Sequence, residues 1–283
     1  MPDSRPIGIF DSGVGGLTVA RAILDLLPHE PLIYVGDTAR FPYGPRALEE
    51  IRRFAVEIAT SLVARDVKML VVACNSVEVS AIDQVAVAAG VPVVGVIEPG
   101  ARAAVHATRN ANVGLIGTEA TVRSGAYDRA VRAADPQVRL TSVACPTFVE
   151  HVERGDTASP ELREAAVRYL EPLRERGVDT LILGCTHYPL LSGLLQLEMG
   201  PDVVLVSSAE ETAKDVYGTL VVAGLERSAT AGGDAEDATP GHEFLCTGDP
   251  ARFRSVAGRF LAPEVADVSS ASRLEPVGGG TWS

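Results

Sequence analysis

Short apolar runs punctuate the chain: PIGIF, PLIYVGD, KMLVVAC, VPVVGVI, ANVGLIG, VRLTSVAC, DTLILGC, DVVLVSS and HEFLCTG. Each is apolar along most of its length rather than alternating with polar residues. That is the pattern of a strand buried on both faces, which means a parallel sheet covered by helices. Between the runs lie longer stretches with apolar residues three and four apart, such as 47–64 and 160–176, and these predict amphipathic helices. Two more helices are predicted over 211–225 and 250–261, with the ninth strand between them. Alternation of strand and helix predicts the α/β class.

The pattern repeats. GIFD at 8–11 matches GLIG at 114–117, LVVACNS at 70–76 matches LILGCTH at 181–187, and VVGVIEPG at 93–100 resembles VVLVSSAE at 203–210. The nearly constant separations indicate two copies of one α/β unit. The chain after 210 most simply returns to the first copy, so the expected domains are 1–97 plus 211–283, and 98–210. Residues 228–241, SATAGGDAEDATPG, are small, acidic and glycine-rich and predict a mobile surface loop. The tail from about Ser269 is expected to be poorly ordered.

At 283 residues the chain can bury the cores of two such units. Lysine and arginine total 25 against 37 acidic residues, a net charge of -12, which argues against nucleic acid as a partner. No apolar run approaches the roughly 20 residues of a membrane helix. The start MPDSRPIGIF lacks the basic and apolar regions of a signal peptide, so a cytoplasmic location without membrane contact is expected. In a reducing compartment the four cysteines are expected to be free thiols.

Ligands of open parallel sheets bind beyond the carboxyl ends of the strands. In the first copy those ends carry Asp11 and Ser12, then Asp37 followed by Pro42, Tyr43 and Gly44, then Cys74, Asn75 and Ser76. In the second they carry Thr118 and Thr121, then Cys185, Thr186 and His187. A lone cysteine is most often a small core hydrophobe. Two at equivalent positions, each followed by polar helix-starting residues, reverse that reading for Cys74 and Cys185, whereas Cys145 and Cys246 keep it. His187 beside Cys185 and Asp11 beside the Cys74 strand could each accept or steer a proton.

Two competing uses of these residues fit less well. A zinc site on Cys74, Cys185 and His187 would lack a CxxC or HxxxH pair and draw its thiols from different copies, so no metal is expected. DSGVGGLT at 11–18 suggests a dinucleotide loop, but Thr18 replaces the third glycine and Asp11 would stand where a pyrophosphate must sit. Its glycines are better explained by a tight turn that lets a small ligand approach closely. Two opposed thiols suit inversion of a stereocentre, which needs a base on one face and an acid on the other. Their ordinary pKa of about 8.5 needs only moderate tuning. Pyridoxal phosphate would require a lysine, and Lys68 and Lys214 both lie away from the ligand-binding strand ends. A cofactor-free reaction is therefore expected.

The combination of IFDSGVGGLTV (9–19), VGDTARFPYG (35–44), VVACNS (71–76), FVEHVERG (148–155) and LGCTHYPLL (183–191) resembles the glutamate racemase family, in order over about 7–225. The resemblance implies two similar flavodoxin-like parallel-sheet domains related by pseudo-twofold symmetry, with the active site between them. It implies cofactor-independent interconversion of L- and D-glutamate, supplying D-glutamate for peptidoglycan. Cys74 and Cys185 take the places of the catalytic cysteines, Asp11 assists the first, His187 the second, and Glu153 supports the histidine. Substrate contacts fall on Asp11, Ser12, Pro42, Tyr43, Gly44, Asn75, Ser76, Thr118, Thr121, Thr186 and His187. Hydroxyls, an amide and backbone N–H groups can hold two carboxylates, which leaves the ammonium to Asp11. Ser76 stands where threonine is commonest and keeps the hydroxyl, while Glu78 is expected to point away from the pocket. A racemase of another amino acid, such as aspartate, is the alternative. The resemblance also implies a homodimer and, for some members, restraint of DNA gyrase as an additional binding role.

Overall fold

The computed structural model describes residues 3–227, 241–261 and 268–271. Its strands are β1 (Ile7–Asp11), β2 (Leu32–Gly36), β3 (Met69–Val72), β4 (Val93–Val94), β5 (Asn112–Gly117), β6 (Arg139–Ala144), β7 (Thr180–Gly184), β8 (Val204–Val206), β9 (Glu243–Cys246) and β10 (Val268–Ser270). The helices of the first half are α1 (Leu17–Leu26), α2 (Leu48–Val63) and α3 (Asn75–Ala89). They are followed by α4 (Ile97–Ala107), α5 (Glu119–Ser124), α6 (Ala126–Ala134), α7 (Pro146–Glu153), α8 (Pro160–Glu175), α9 (Ser192–Met199), α10 (Ala209–Ala223) and α11 (Pro250–Leu261).

The strands form two parallel sheets, of order β10-β9-β2-β1-β3-β4 and β6-β5-β7-β8. Removing β9 and β10 leaves the same order in both, so β1 corresponds to β5 and β3 to β7. In each sheet the chain leaves the central strand first to one side and then to the other, creating a switch point between β1 and β3 and between β5 and β7. The register carries Asp11 level with Gly36 at the end of β1, and Gly117 level with Gly184 at the end of β5. The inner apolar runs behave as expected, with every residue of β1, β2, β3 and β7 buried, whereas β6 and β8 at the two edges of the second sheet are mostly half-buried or exposed, because an edge strand is covered less completely.

Each sheet is covered on both faces. On one side of the first, Leu17, Val19 and Ile23 of α1 meet Ala213, Val216 and Leu220 of α10; on the other, Ile51, Phe54 and Ile58 of α2 pack with Val77, Ala81 and Val85 of α3. The second is covered by Phe148 of α7, Leu162 and Leu170 of α8 and Leu195 of α9 on one side, and by Ala101 of α4 with Tyr127 and Val131 of α6 on the other. Helix limits follow local chemistry. Ser159 accepts the N–H of Leu162 at the start of α8, whose first residue is Pro160, and Gly90 ends α3 at φ 62°.

One expectation needs correction. Ser269 and Ser270, expected in a loose tail, pair with Leu245 and Cys246 as part of β10. VSS is too short and too polar to signal a strand, and it gains its hydrogen bonds from the edge that β9 offers. The expected acidic loop lies outside the described residues apart from Gly241, as does the tail beyond 271. All four cysteines are free and buried.

Candidate active site

The carboxyl ends of the two sheets face each other across a cavity of about 170 Å³. Ser12, Pro42, Tyr43 and Gly44 contribute to its lining, as do Cys74, Asn75 and Ser76, all from the first half. Across from them stand Thr118, Cys185, Thr186 and His187. Asp11, Thr121 and Glu153 lie behind this lining, each bonded to a residue that forms it. Lys68 and Lys214 are absent from it: Lys68 is buried against Glu30 and the carbonyls of Asp3 and Leu225, and Lys214 pairs with Glu211.

Cys74 directly precedes α3 in extended backbone, and its thiol donates to Ser12 Oγ at 3.5 Å. Burial, with Asp11 next in importance, pushes this thiol up to about 12. Asp11 is itself raised by burial, while its Oδ1 accepts the Gly13 N–H at 2.8 Å. Its Oδ2 accepts the Thr186 hydroxyl from the opposite half at 3.2 Å.

Cys185 is provided differently. A helix was expected directly after it, but Thr186 and His187 intervene before a 3₁₀ turn, Tyr188–Leu191, that leads into α9. Pro189 stands in the first turn of that segment, where its missing N–H costs nothing because the first N–H groups have no partner within the helix. His187 Nδ1 lies 3.9 Å from the Cys185 sulfur, and Nε2 lies 2.8 Å from Glu153 Oε1. Burial works against a charge on this imidazole, but the Cys185 and Glu153 contacts outweigh it and push its pKa up to about 10. At neutral pH it therefore holds its proton.

Of the remaining polar contacts, one joins the halves and the others brace each half internally. Ser76 Oγ and Thr118 Oγ1 are 3.0 Å apart, and Thr118 Oγ1 continues to Thr121 Oγ1 at 3.0 Å. Tyr43 donates to Asp37, whose carboxylate also takes Arg40 Nε at 2.7 Å and the Thr247 hydroxyl at 2.7 Å. Gly15 of the 13–16 loop serves a protein neighbour. A Cβ on Gly15 would stand 2.6 Å from His187 Nδ1 and nearer still to Thr186 Oγ1, so this loop admits the other half of the protein.

Sequence reasoning missed Phe41, Pro45, Glu119, Pro146, Val149 and Glu150, which also line the cavity. Phe41 and Pro45 flank the expected Pro42–Gly44 stretch, and Pro146 comes soon after a strand end, so both positions carried a usable signal. Val149 and Glu150 sit on a helix face whose direction only tertiary packing sets. Glu78 is absent from the lining. It is buried in α3 and accepts the N–H groups of Val96 and Ile97 at 2.5 and 3.0 Å, at the start of α4.

With this geometry in hand, comparison with known proteins is specific. The model of the Asp/Glu/Hydantoin racemase family matches residues 16–216. The chain therefore belongs to that family, whose members are isomerases. Within it, the chain falls among the glutamate racemases. It is 57% identical over 271 residues to the glutamate racemase of Beutenbergia cavernae, covering 94% of this chain and 92% of that one. It is 56% identical over 265 residues to that of Acidothermus cellulolyticus, covering 94% and 98%. Among solved structures, glutamate racemase isoform RacE1 from Bacillus anthracis superposes with a TM-score of 0.85 at 41% identity, covering 94% of this chain and 97% of that one. The Francisella tularensis glutamate racemase in complex with D-glutamate gives 0.86 at 34% identity, covering 95% and 97%. No helix among the described residues is long and apolar enough to cross a membrane.

Proposed function

We propose that the chain racemises glutamate without a cofactor, by proton transfer between Cys74 and Cys185 on opposite faces of the α-carbon. The observation that carries this reading is the pair of cysteines at equivalent strand ends of the two sheets, both lining one cavity. One sulfur removes the α-proton as a thiolate and the other returns a proton from the far face as a thiol, so that inversion leaves the two protonation states exchanged.

The two sides are unequal. Cys74, pushed up to about 12, rests as the acid, and protonated His187 balances a thiolate formed at Cys185. Asp11 shuttles protons at Cys74 and holds the substrate ammonium, while Glu153 keeps His187 charged and oriented. Hydroxyls of Ser12, Ser76, Thr118, Thr121 and Thr186, the Asn75 amide and the backbone at 42–44 take the carboxylates, strengthened by the dry surroundings as negative charge builds at the α-carbon. The units are divided as 1–97 plus 211–283, and 98–210. The enzyme works in the cytoplasm as a homodimer, supplying D-glutamate for peptidoglycan, and size-exclusion chromatography with light scattering checks the dimer.

The deciding experiment follows the circular dichroism of D-glutamate in heavy water with chelator present and no added pyridoxal phosphate. Loss of optical signal, with one deuterium at the α-carbon of the product, is expected. Absence of both with either enantiomer, alongside turnover of aspartate, would move the reading to the alternative substrate.

A further inference from the structure

Asn75, the residue after Cys74, is 2% exposed, and its side-chain oxygen accepts a hydrogen bond at 2.8 Å from the Tyr127 hydroxyl. Tyr127 belongs to α6, in the opposite half of the protein. Its ring is wedged behind the second cysteine: a Cβ on Gly184, next to Cys185, would stand 3.3 Å from Tyr127 Cε2, and one on Gly100 would stand 3.6 Å from its hydroxyl. Asn75 Nδ2, by contrast, is buried with no hydrogen-bond partner among the described residues, on a residue that lines the cavity.

These observations fix the amide. A buried phenol needs an acceptor for its proton, and Asn75 is the acceptor found for Tyr127 among the described residues. Turning the amide over would set its NH₂ against the phenol and leave that O–H proton without an acceptor. Burial, then Glu78 and Cys185, raises the Tyr127 pKa well above its ordinary range, so the group stays a donor at working pH. The amide oxygen is thereby committed to the protein, and the two N–H bonds are left over.

We propose that Tyr127 is a positioning residue for racemisation: its hydroxyl locks the Asn75 amide so that Nδ2 is presented to a carboxylate of the substrate. The inference rests on the reading of Asn75 as a substrate contact. It gives the site a crossed arrangement, because Thr186, the residue after the other cysteine, is in turn bonded to Asp11 of the first half. Each residue next after a cysteine is held by the half that does not carry it, so docking of the two halves is what sets the polar groups of the cavity.

The test compares Tyr127→Phe, Asn75→Ala and the double variant in the full chain, measuring kcat and KM for both glutamate enantiomers and the thermal midpoint. Tyr127→Phe is expected to raise KM about fivefold to tenfold, the size of one hydrogen bond, with kcat within about twofold. In the Asn75→Ala background it should raise KM no further, and it should restore part of the lost thermal midpoint by removing a hydroxyl left without an acceptor. That last comparison remains readable even if Tyr127→Phe alone folds poorly. Additive KM effects, or an unchanged KM in Tyr127→Phe while Asn75→Ala raises it, would overturn the positioning role and leave the substrate reading of Asn75 intact. An unchanged KM in Asn75→Ala would instead remove Asn75 from the substrate contacts and the proposal with it.

Discussion

His187 lies 3.9 Å from the sulfur of Cys185, and among the described residues no imidazole lines the cavity on the Cys74 side. The two thiols occupy equivalent places in the repeat but not equivalent fields, since Cys74 has the Asp11 carboxylate as its neighbour in charge. A symmetric scaffold thus holds an asymmetric pair.

Cys74→Ser and Cys185→Ser should each lower kcat by about 10² to 10⁴-fold, the usual contribution of a positioned acid or base. A serine hydroxyl matches the shape but is far less acidic. Far-UV circular dichroism should be unchanged, because the exchange is nearly isosteric. Near-normal turnover in either variant would rule out the two-thiol route.

Removing the imidazole with His187→Asn should slow proton transfer at Cys185 alone. Enantiomers have equal free energy, so kcat/KM must fall equally in both directions. The asymmetry is expected in the α-deuterium isotope effect, which should rise for the one enantiomer whose proton faces Cys185. An equal rise for both would show that His187 serves the whole cavity.

Gly15→Ala should be more damaging than an ordinary surface change, because the new methyl meets Thr186 and His187 across the joint between the halves. Overpacking of this kind costs about 1–3 kcal/mol. The expected result is a lower urea midpoint together with a larger loss of kcat than stability alone explains. Normal kinetics would mean that the loop moves aside freely.

Glu78 gives a prediction for stability against pH. Burial raises its carboxyl from an ordinary 4.5 to about 7, despite the Val96 and Ile97 N–H groups. Between those values the folded chain holds a proton that the unfolded chain has released, so stability falls as pH rises from about 4.5 through about 7. The total is on the order of 3 kcal/mol. Asp11 shifts in the same sense, and the comparison with Glu78→Gln isolates Glu78. That variant should flatten the dependence of the urea midpoint over this range, and an unaltered slope would contradict the assignment.

Much of the fold and site was legible in the chain because buried parallel strands leave a continuous apolar signature, and the polar residues that end each run stand out against it. Cys74, Cys185 and their polar successors are local to such ends, and the matching strand orders explain why the two motifs looked alike. Helix α8 was legible from its apolar residues three and four apart. The features that stayed hidden depend on contacts between distant segments. The Tyr127 bond to Asn75 joins residues 52 apart in sequence, and no local pattern marks either as the other's partner. Glu78 stands in the first turn of α3, yet its carboxylate serves the start of α4. Val268–Ser270 is too short to carry a period and became a strand only because β9 lay beside it.

The placement of β9 has a consequence for how the molecule is made. The four-stranded sheet draws only on residues 112–206, whereas the six-stranded one takes β9 in beside β2. Thr247, just after β9, bonds to Asp37 across a separation of 210 residues, and Asp37 in turn receives the Tyr43 hydroxyl at the cavity wall. During synthesis the later sheet can close while the earlier one still waits for its outer strands. A nascent chain therefore lacks the Thr247 bond to Asp37 until residue 247 has left the ribosome, and the support behind Tyr43 is among the last contacts of the cavity wall to form.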